Sequence, residues 1–376
     1  MSGNKNLNQA MKARQDEFYT QKDDIEAELW HYKKHFNDKV VYCNCDDPCD
    51  GPMASEFWKF FVRNFNDWGL KKLIATHYER DEKNFSYKIE AGPDKNGQFK
   101  FPGTPKRTPI KSNGDFRSDS CIRLLKQADI VVTNPPFSLF REYVAQLIKY
   151  NKKFVIIGPR NAITYKEIFP LISSNKIWLG YGFIHSDAYF RLPEKNAADH
   201  AAKYAAGVYN PETGLVHFRN CTWFTNLDIT KRHEPIELRG NYYYGNEEKY
   251  PKYDNYDAIE VSRTDDIPID YMGVMGVPIT FMDKYCPEQF EILGITSGRK
   301  EFSEKAWPIK RYENAMQHNP DGSIVNGSKA NTRATILLDH TPSEIYYTAD
   351  NADGPMKIMY ARILIRRREP GKGEEE

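Results

Sequence analysis

The sequence contains no long hydrophobic run. Hydrophobic residues make up 40% of the 376-residue chain, yet apolar stretches such as residues 154–157 and 336–338 are far too short to span a bilayer. The first residues also lack the apolar segment of a secretory signal peptide. We therefore expect a cytoplasmic protein with no membrane-spanning segment.

The six cysteines lack the spacing that is typical of a zinc site. Cys43, Cys45 and Cys49 form one cluster, and no second pair of cysteines or histidines follows at a useful distance. Without a secretory signal, a framework of disulfides is not expected either. We predict structural thiols and no metal site.

An excess of charge of one sign is also missing. Lysine and arginine number 53 and the acidic residues 52, so the net charge is +1. A nucleic-acid enzyme with this balance must gather its cations on one face. Candidate contributors are Lys106, Arg107, Lys111, Arg299, Lys300, Lys305, Arg366, Arg367 and Arg368.

Strand-like and helix-like patterns alternate in the first part of the chain. The strand-like segments cover residues 39–44, 72–78, 130–133, 153–158, 176–181 and 221–226, and the helical patterns cover residues 23–36, 55–65, 122–126 and 139–148. This alternation predicts an α/β fold with a mostly parallel sheet. In such a sheet, ligands bind at the carboxyl ends of the strands.

The pattern changes near residue 232, beyond which alternating strands and helices are harder to find. Tyrosines crowd together between residues 242 and 256, an exposed loop is predicted over 318–331, and strands are predicted over 333–338 and 359–366. We expect a first domain over residues 1–232 and a second region of different function over 233–376.

The most informative segment is residues 129–137, which read Asp-Ile-Val-Val-Thr-Asn-Pro-Pro-Phe. The apolar part predicts a buried strand, and the prolines end it. Ser138 is placed to cap the helix that follows. The segment is either a functional loop at the carboxyl end of a strand or a turn that merely contains two prolines. Its position between a strand and a helix favours the functional interpretation.

Asn-Pro-Pro-Phe suits methyl transfer to a planar amine, whose lone pair is delocalised into the ring. The side-chain oxygen of Asn134 and the carbonyl of Pro135 can accept the two N–H groups and so free the lone pair. Pro135 and Pro136 fix φ and hold both acceptors in place. Phe137 can stack on the base, which contributes about 1–3 kcal/mol.

With these residues in view, the chain resembles the EcoRI-type adenine-specific DNA methyltransferases. The resemblance runs from about residue 14 to residue 368. It rests on Asp16-Glu-Phe-Tyr-Thr-Gln, Asn44-Cys-Asp-Asp-Pro-Cys-Asp-Gly and Val132-Thr-Asn-Pro-Pro-Phe. The resemblance implies a Rossmann-like domain that binds S-adenosyl-L-methionine, followed by a C-terminal target-recognition region.

The resemblance also implies roles for individual residues. Phe18, Tyr19 and Thr20 are similar to the motif beside the methionine part of the cofactor, and Asp47, Pro48 and Gly51 to the loop that wraps it. Glu79 fits the acid that binds the ribose, and Asp115 with Phe116 fits the pair at the adenine. Gly51 stands alone where two spaced glycines are common, so it stays open which of Asp46, Asp47 and Asp50 faces the cofactor.

The resemblance implies an enzyme that flips adenine out of double-stranded DNA and methylates its N6 amine, with a cognate restriction endonuclease as a further partner. The transfer is direct and needs no cysteine nucleophile. The same loop also suits RNA adenine, cytosine N4 or a protein glutamine, and an inactive DNA-binding protein can keep the fold. Phe137 favours adenine over cytosine among these alternatives.

Overall fold

The computed structural model describes residues 19–46, 55–79, 86–93, 106–185, 187–191, 207–296, 305–306 and 308–369. The chain divides into two compact units, the first comprising Met1–Ala162 and Ile177–Ile229 and the second Ile163–Lys176 and Thr230–Glu376. The second unit thus takes a segment from within the first predicted domain. The assignment of residues 233–376 to target recognition stays a prediction.

Six α-helices lie in the described residues. They are α1 (Lys22–Leu29), α2 (Lys33–Phe36), α3 (Glu56–Arg63), α4 (Asp119–Gln127), α5 (Phe140–Lys149) and α6 (Phe169–Ser173). α3 begins after Ser55, whose Oγ accepts hydrogen bonds from the backbone N–H groups of Phe57 and Trp58. Phe57, Trp58, Phe60 and Phe61 then bury one apolar face of α3.

The predicted cap of α5 is wrong. Ser138 lies inside a 3₁₀ turn, Phe137–Leu139, and the residue before α5 is Leu139, which makes no side-chain cap hydrogen bond. A capping residue must have a non-helical backbone, whereas the chain is already turning at Ser138. The 3₁₀ turn therefore leads directly into α5.

The strands of the first unit form two sheets. They are β1 (Tyr19–Thr20), β2 (Val40–Cys43), β3 (Lys72–Thr76), β4 (Tyr87–Ala91), β5 (Thr108–Pro109), β6 (Ile130–Thr133), β7 (Lys153–Pro159), β8 (Trp178–Leu179), β9 (Ala188–Arg191), β10 (Tyr209–Asn210), β11 (Leu215–Phe218) and β12 (Cys221–Thr225). The large sheet has the order β5-β4-β3-β2-β6-β7-β12-β8, and the small antiparallel sheet has the order β1-β9-β11-β10.

The large sheet is mixed, which corrects the prediction of a mostly parallel sheet. β3, β2, β6 and β7 run parallel, whereas β4 and β5 on one side and β12 and β8 on the other pair antiparallel. A parallel pair needs a long crossover, usually a helix, whereas an antiparallel pair does not. No helix is described between β3 and β5, and the outer strands β4 and β5 pair antiparallel.

The order in which strands are added across the sheet reverses at β2. After β2 it adds β3 on one side, and β6 later enters on the other side, with Val41 opposite Ile130 and Tyr42 opposite Val131. The carboxyl ends of β2 and β6 therefore flank a topological switch point, where open α/β sheets bind ligands. Both strands are buried, so their ends are fixed by the core.

The second unit contains two further sheets. Its strands are β13 (Ile259–Glu260), β14 (Met275–Pro278), β15 (Phe290–Ile295), β16 (Met316–His318), β17 (Ile324–Asn326), β18 (Thr335–Leu337), β19 (Tyr346–Thr348), β20 (Met356–Ile358) and β21 (Arg362–Arg367). The sheet orders are β13-β14-β21-β15 and β17-β16-β19-β20-β18. The predicted loop over 318–331 contains the exposed strand β17, so it is a hairpin arm as well as a loop.

A buried ion pair joins β13 to β21 in the second unit. Glu260 accepts hydrogen bonds from Nε and Nη2 of Arg362, at 3.0 Å and 2.7 Å, and also from the hydroxyl of Tyr253. Both charged residues are buried, and these contacts satisfy the carboxylate.

Across the described residues, no helix combines the length and the apolar character that a membrane crossing requires.

Candidate functional site

Asp46 connects the ends of β2 and β6. One oxygen of its buried carboxylate accepts a hydrogen bond from Ser55 Oγ at 2.9 Å, and the other accepts one from Thr133 Oγ1. The hydroxyl of Thr133 in turn accepts the backbone N–H of Cys45 at 3.3 Å. The residue before Asn134 is thus tied to the end of β2.

Asn44 lies beside this connection and is buried. Its side-chain oxygen accepts a hydrogen bond from the hydroxyl of Tyr143 on α5, and its carbonyl accepts one from Thr76 on β3 at 3.2 Å. Burial raises the pKa of Tyr143 well above its usual value, so this phenol remains a neutral donor. Two elements, α5 and β3, therefore orient Asn44.

The Asn-Pro-Pro-Phe loop follows β6 directly. Pro135 is buried, whereas Asn134 and Pro136 are half-buried. Phe137 is 1% exposed, and its ring packs edge-on against Phe190 of β9, with 6.3 Å between the centroids. A base can stack on Phe137 only if the ring leaves this contact, so the stacking role stays a prediction.

The segment of β1 lies close to the same loop. β1 pairs with β9, with Thr20 opposite Phe190 and Tyr19 opposite Arg191. Thr20 is therefore a neighbour of the residue that contacts Phe137. Phe18 lies outside the described residues, and the cofactor-binding roles of Tyr19 and Thr20 stay predictions.

Asp115 is engaged by Arg117. The Nε and Nη2 atoms of Arg117 donate to the two carboxylate oxygens at 3.0 Å and 2.7 Å, and the backbone N–H of Arg117 donates at 2.8 Å. Partial burial alone would raise the pKa of Asp115, but these hydrogen bonds keep it below its usual value.

Phe116 lies in the segment that precedes α4, and Glu79 lies in the segment that follows β3. Phe116 is buried and meets the ring of Tyr143 edge-on at 5.0 Å, which places it one side chain away from Asn44. The backbone N–H of Glu79 donates to the carbonyl of Asn113 at 2.7 Å. The loop that carries Asp115 therefore lies along the segment that follows β3.

Other predicted residues lie outside the described part of the chain, namely Asp47, Pro48, Asp50 and Gly51. Of the three acids left open, Asp46 uses both carboxylate oxygens within the protein. Within the described residues, no group of three or more histidine, cysteine or acidic side chains is placed to hold a metal ion.

Two buried polar atoms near the switch point have no hydrogen-bond partner among the described residues. They are Nδ2 of Asn44 and Oγ1 of Thr20. A buried donor without an acceptor destabilises a protein by about 1–3 kcal/mol, and a bound polar ligand can supply the acceptor. With the carboxylates of Asp115 and Glu79 and the ring of Phe116, these atoms fit a ligand that has both ionic and aromatic parts.

Sequence reasoning missed two buried acids on α1. Glu28 is 0% exposed and accepts hydrogen bonds from the backbone N–H groups of Tyr181 and Gly182, at 3.0 Å and 2.9 Å. Asp24 accepts the N–H of Ile184 at 3.3 Å, and burial raises its pKa. Together they hold the segment after β8, whose Phe183 ring lies 6.2 Å from Phe190.

The sequence contains a pattern that indicates these buried acids, but the pattern is hard to interpret. Asp24 and Glu28 are four residues apart, which places both on one helix face together with buried Ile25 and Leu29. The helix was predicted from the apolar residues of that face alone. Acids on a buried face indicate nearby backbone N–H groups that need acceptors. The roles of Thr133, Ser55 and Tyr143 had no such signal.

The chain matches known proteins over most of its length. The model of the family described as adenine-specific methyltransferase EcoRI matches residues 6–368. The chain is 50% identical over 308 residues to the Type II methyltransferase M.EcoRI of Escherichia coli, which covers 79% of this chain and 91% of that protein. No solved structure matches the chain.

Two further relatives come from mycoplasmas. The Type II methyltransferase M.MgeORF184P of Mycoplasma genitalium is 41% identical over 76% of this chain and 85% of its own length. The Type II methyltransferase M.MpnI of Mycoplasma pneumoniae is 39% identical over 88% of this chain and 97% of its own length. These matches confirm the predicted enzyme class, and the chain belongs to the EcoRI family of adenine-specific methyltransferases.

Proposed function

We propose that this enzyme transfers a methyl group from S-adenosyl-L-methionine to the N6 amine of adenine at a specific site in double-stranded DNA. The observation that carries the proposal is the position of the Asn134 loop. It leaves β6 at the switch point of the sheet and is joined to the end of β2 through Thr133 and Asp46. The family and the relatives that the chain matches support the same reaction class.

The finer description of the fold belongs to the same proposal. The order β3-β2-β6-β7 with a reversal at β2 supports a Rossmann-like methyltransferase domain that binds its nucleotide at the switch point. Residues 233–376 then act as the target-recognition region. Their two separate sheets differ from the α/β pattern of the first unit, which supports a separate task.

S-adenosyl-L-methionine supplies an electrophilic methyl group on a sulfonium. Asn44 and Thr20 each offer a buried polar atom to its methionine part, and Glu79 offers a carboxylate to the ribose. Asp115 accepts the adenine amine at Oδ2, which receives one hydrogen bond from Arg117. Phe116, buried against Tyr143, limits how far the adenine can enter.

The Asn134 loop prepares the target amine. The Asn134 side-chain oxygen and the Pro135 carbonyl accept the two N–H groups, so the nitrogen becomes more pyramidal and its lone pair points at the methyl carbon. With S-adenosyl-L-methionine bound, the amine would take its methyl group as the thioether leaves, and the amine would release one proton to water. Because the prolines and the Thr133 hydrogen bonds fix the loop, the acceptors need little reorganisation.

The substrate and partners follow from this reaction. An adenine in a duplex must leave the base stack before its amine can reach a buried loop. We extend the Type II names of the relatives to this chain and propose a cytoplasmic restriction-modification role with a cognate endonuclease.

The decisive experiment offers three acceptors to the purified protein. Double-stranded DNA, RNA and protein are each incubated with S-adenosyl-L-methionine that carries a labelled methyl group. We expect N6-methyladenine in DNA, and sequencing of DNA from a methylation-free host that expresses the protein should place it at one recurring site. Label in RNA, protein or cytosine N4 contradicts the proposal. No binding of the labelled compound, with or without DNA, indicates an inactive relative.

A further inference from the structure

One turn in the second unit contains an unusual tyrosine. Among the described residues, five residues other than glycine have a positive φ, and four of these are aspartate or asparagine, which tolerate that conformation. The fifth is Tyr244, with φ of 67°, and Gly245 follows with φ of 92°. A bulky side chain is strained in this region, so an ordinary turn favours asparagine or glycine at position 244.

No packing of its side chain offsets this strain. The side chain of Tyr244 is 97% exposed. The neighbouring Tyr242 is buried instead, and its ring lies 4.5 Å from that of Tyr271 and 5.8 Å from that of Tyr250. The strained residue is therefore the one whose ring points away from the protein.

The backbone of the turn is held firmly. The carboxylate of Asp270 accepts the N–H of Tyr242 at 2.7 Å and that of Tyr243 at 3.2 Å. Glu247 accepts the N–H of Gly245 at 3.0 Å. Because the backbone is fixed, only the side-chain torsions of Tyr244 lose freedom when the ring meets a partner.

A polar cleft of about 540 Å³ adjoins the turn. Its charged and amide side chains are Arg239, Asn241, Asn246, Lys249 and Asp266. Arg239 forms an exposed ion pair with Glu237 at 2.8 Å, which is weak enough for a phosphate to replace. Arginine and lysine contact phosphates, and asparagine side chains match the hydrogen-bonding edges of bases. This combination fits nucleic acid better than an apolar protein surface.

We propose that residues 242–245, the tyrosine turn, press the ring of Tyr244 against bases of the duplex DNA substrate. The inference rests on the proposed function, because extraction of an adenine leaves the faces of its neighbours exposed to a stacking ring. Arg239 and Lys249 hold the adjacent phosphates. The strained backbone at Tyr244 serves the contact between its ring and DNA, and it does not serve the stability of the fold.

Three variants separate the ring from the strain. Tyr244→Asn removes the ring and accepts the left-handed backbone, whereas Tyr244→Trp keeps a stacking ring. Tyr360→Asn is the matched control, since Tyr360 is 74% exposed and has no positive φ. The dissociation constant is measured by fluorescence anisotropy, at several salt concentrations, with a duplex that contains the site methylated by the wild-type enzyme. Thermal unfolding is followed on the same samples.

Tyr244→Asn should change stability and affinity in opposite directions. Relief of strain should raise its unfolding midpoint by about 2 °C. Loss of one stacked ring should weaken DNA binding about tenfold without changing the slope of affinity against salt. Tyr244→Trp should keep most of the affinity, and Tyr360→Asn should change neither quantity.

Other results overturn the inference. If wild-type protein binds the duplex and Tyr244→Asn binds equally well, the tyrosine turn is not a DNA contact, although the proposed function stands. A smaller salt slope indicates a lost phosphate contact and contradicts stacking, and a changed oligomeric state indicates a protein interface. If the wild-type protein neither binds nor methylates duplex DNA, both the inference and the proposed function fail.

Discussion

The hydroxyl of Thr133, the last residue of β6, donates a hydrogen bond to the carboxylate of Asp46, three residues beyond the end of the neighbouring strand β2. The same carboxylate accepts the hydroxyl of Ser55, the residue that caps α3. One buried acid therefore fixes the start of the Asn134 loop relative to β2 and α3. We interpret Thr133 and Asp46 as positioning residues, which act on the reaction through the loop.

Thr133→Val tests this interpretation, because it removes the hydroxyl and nearly preserves the volume. The unsatisfied Asp46 oxygen should destabilise the fold by about 1–3 kcal/mol. The rate of methyl transfer should fall as well, because Asn134 loses its fixed position. Thr133→Ser keeps the hydroxyl and should restore kcat. A valine variant with lower stability but normal kcat would assign Thr133 a purely structural role.

Asn134→Ala should remove most turnover and leave cofactor affinity nearly unchanged, because the side chain acts mainly in the transition state. A loss of one preorganised hydrogen-bonding group typically lowers kcat by about 10²–10³. Single-turnover kinetics and calorimetric titration separate the two quantities. Gln127→Ala, an exposed change at the end of α4, is the control. Turnover within a few-fold of wild type would disprove the role of Asn134.

The Asp115–Arg117 pair predicts a pH dependence of stability. The folded-state pKa of Asp115 is lowered, so its contribution is present above the ordinary aspartate pKa of about 4 and is lost as the pH falls through the lowered value. Thermal unfolding of wild type and Asp115→Asn is compared between pH 7 and pH 2. The two curves should converge at the acid end. Parallel curves over the whole range would mean that the pair contributes no stability.

Gly180→Ala should disturb the segment that α1 holds. A Cβ at this position lies 2.0 Å from Oε1 of Glu28 and 2.9 Å from the Cβ of Trp223, and neither neighbour is free to retreat. Overpacking of this kind destabilises proteins by about 1–3 kcal/mol. Gly92→Ala is the matched control, since its nearest neighbour is 3.8 Å away. Equal unfolding free energies for both variants would show that the segment adapts.

Glu260→Gln should be the most destabilising of these changes. It leaves the guanidinium of Arg362 buried without its countercharge, which costs about 3–5 kcal/mol. Denaturant unfolding measures the loss, and Lys284→Met, which breaks the exposed pair with Asp265, should have little effect. A tolerated Glu260→Gln would indicate that water reaches Arg362.

The sequence predicted the central strands and the loop after β6 because their periodicity and turn residues are local signals. It placed Asn134 after a buried strand, as observed. It did not predict that the sheet is mixed, because strand direction depends on pairing between distant segments such as β12 and β7. The roles of individual site residues remain predictions.

Contacts between distant residues explain what was missed at the site. The hydrogen bond from Tyr143 to Asn44 joins residues 99 positions apart, and the bond from Thr133 to Asp46 joins residues 87 apart. Neither pair has a spacing that a single sequence reveals. The burial of Phe137 was also hidden, because an aromatic residue in a loop reads equally well as a core residue or as a ligand contact.

The segment Ile163–Lys176 belongs to the second unit although it lies between β7 and β8 of the first. Its helix α6 buries Phe169 and Ile172 and packs against β15. A chain cut after residue 229 would keep α6 and lose β15, which exposes both side chains. Exchange of the second unit between relatives therefore requires two segments to be transplanted together, because a single crossover near residue 230 pairs α6 of one relative with β15 of the other.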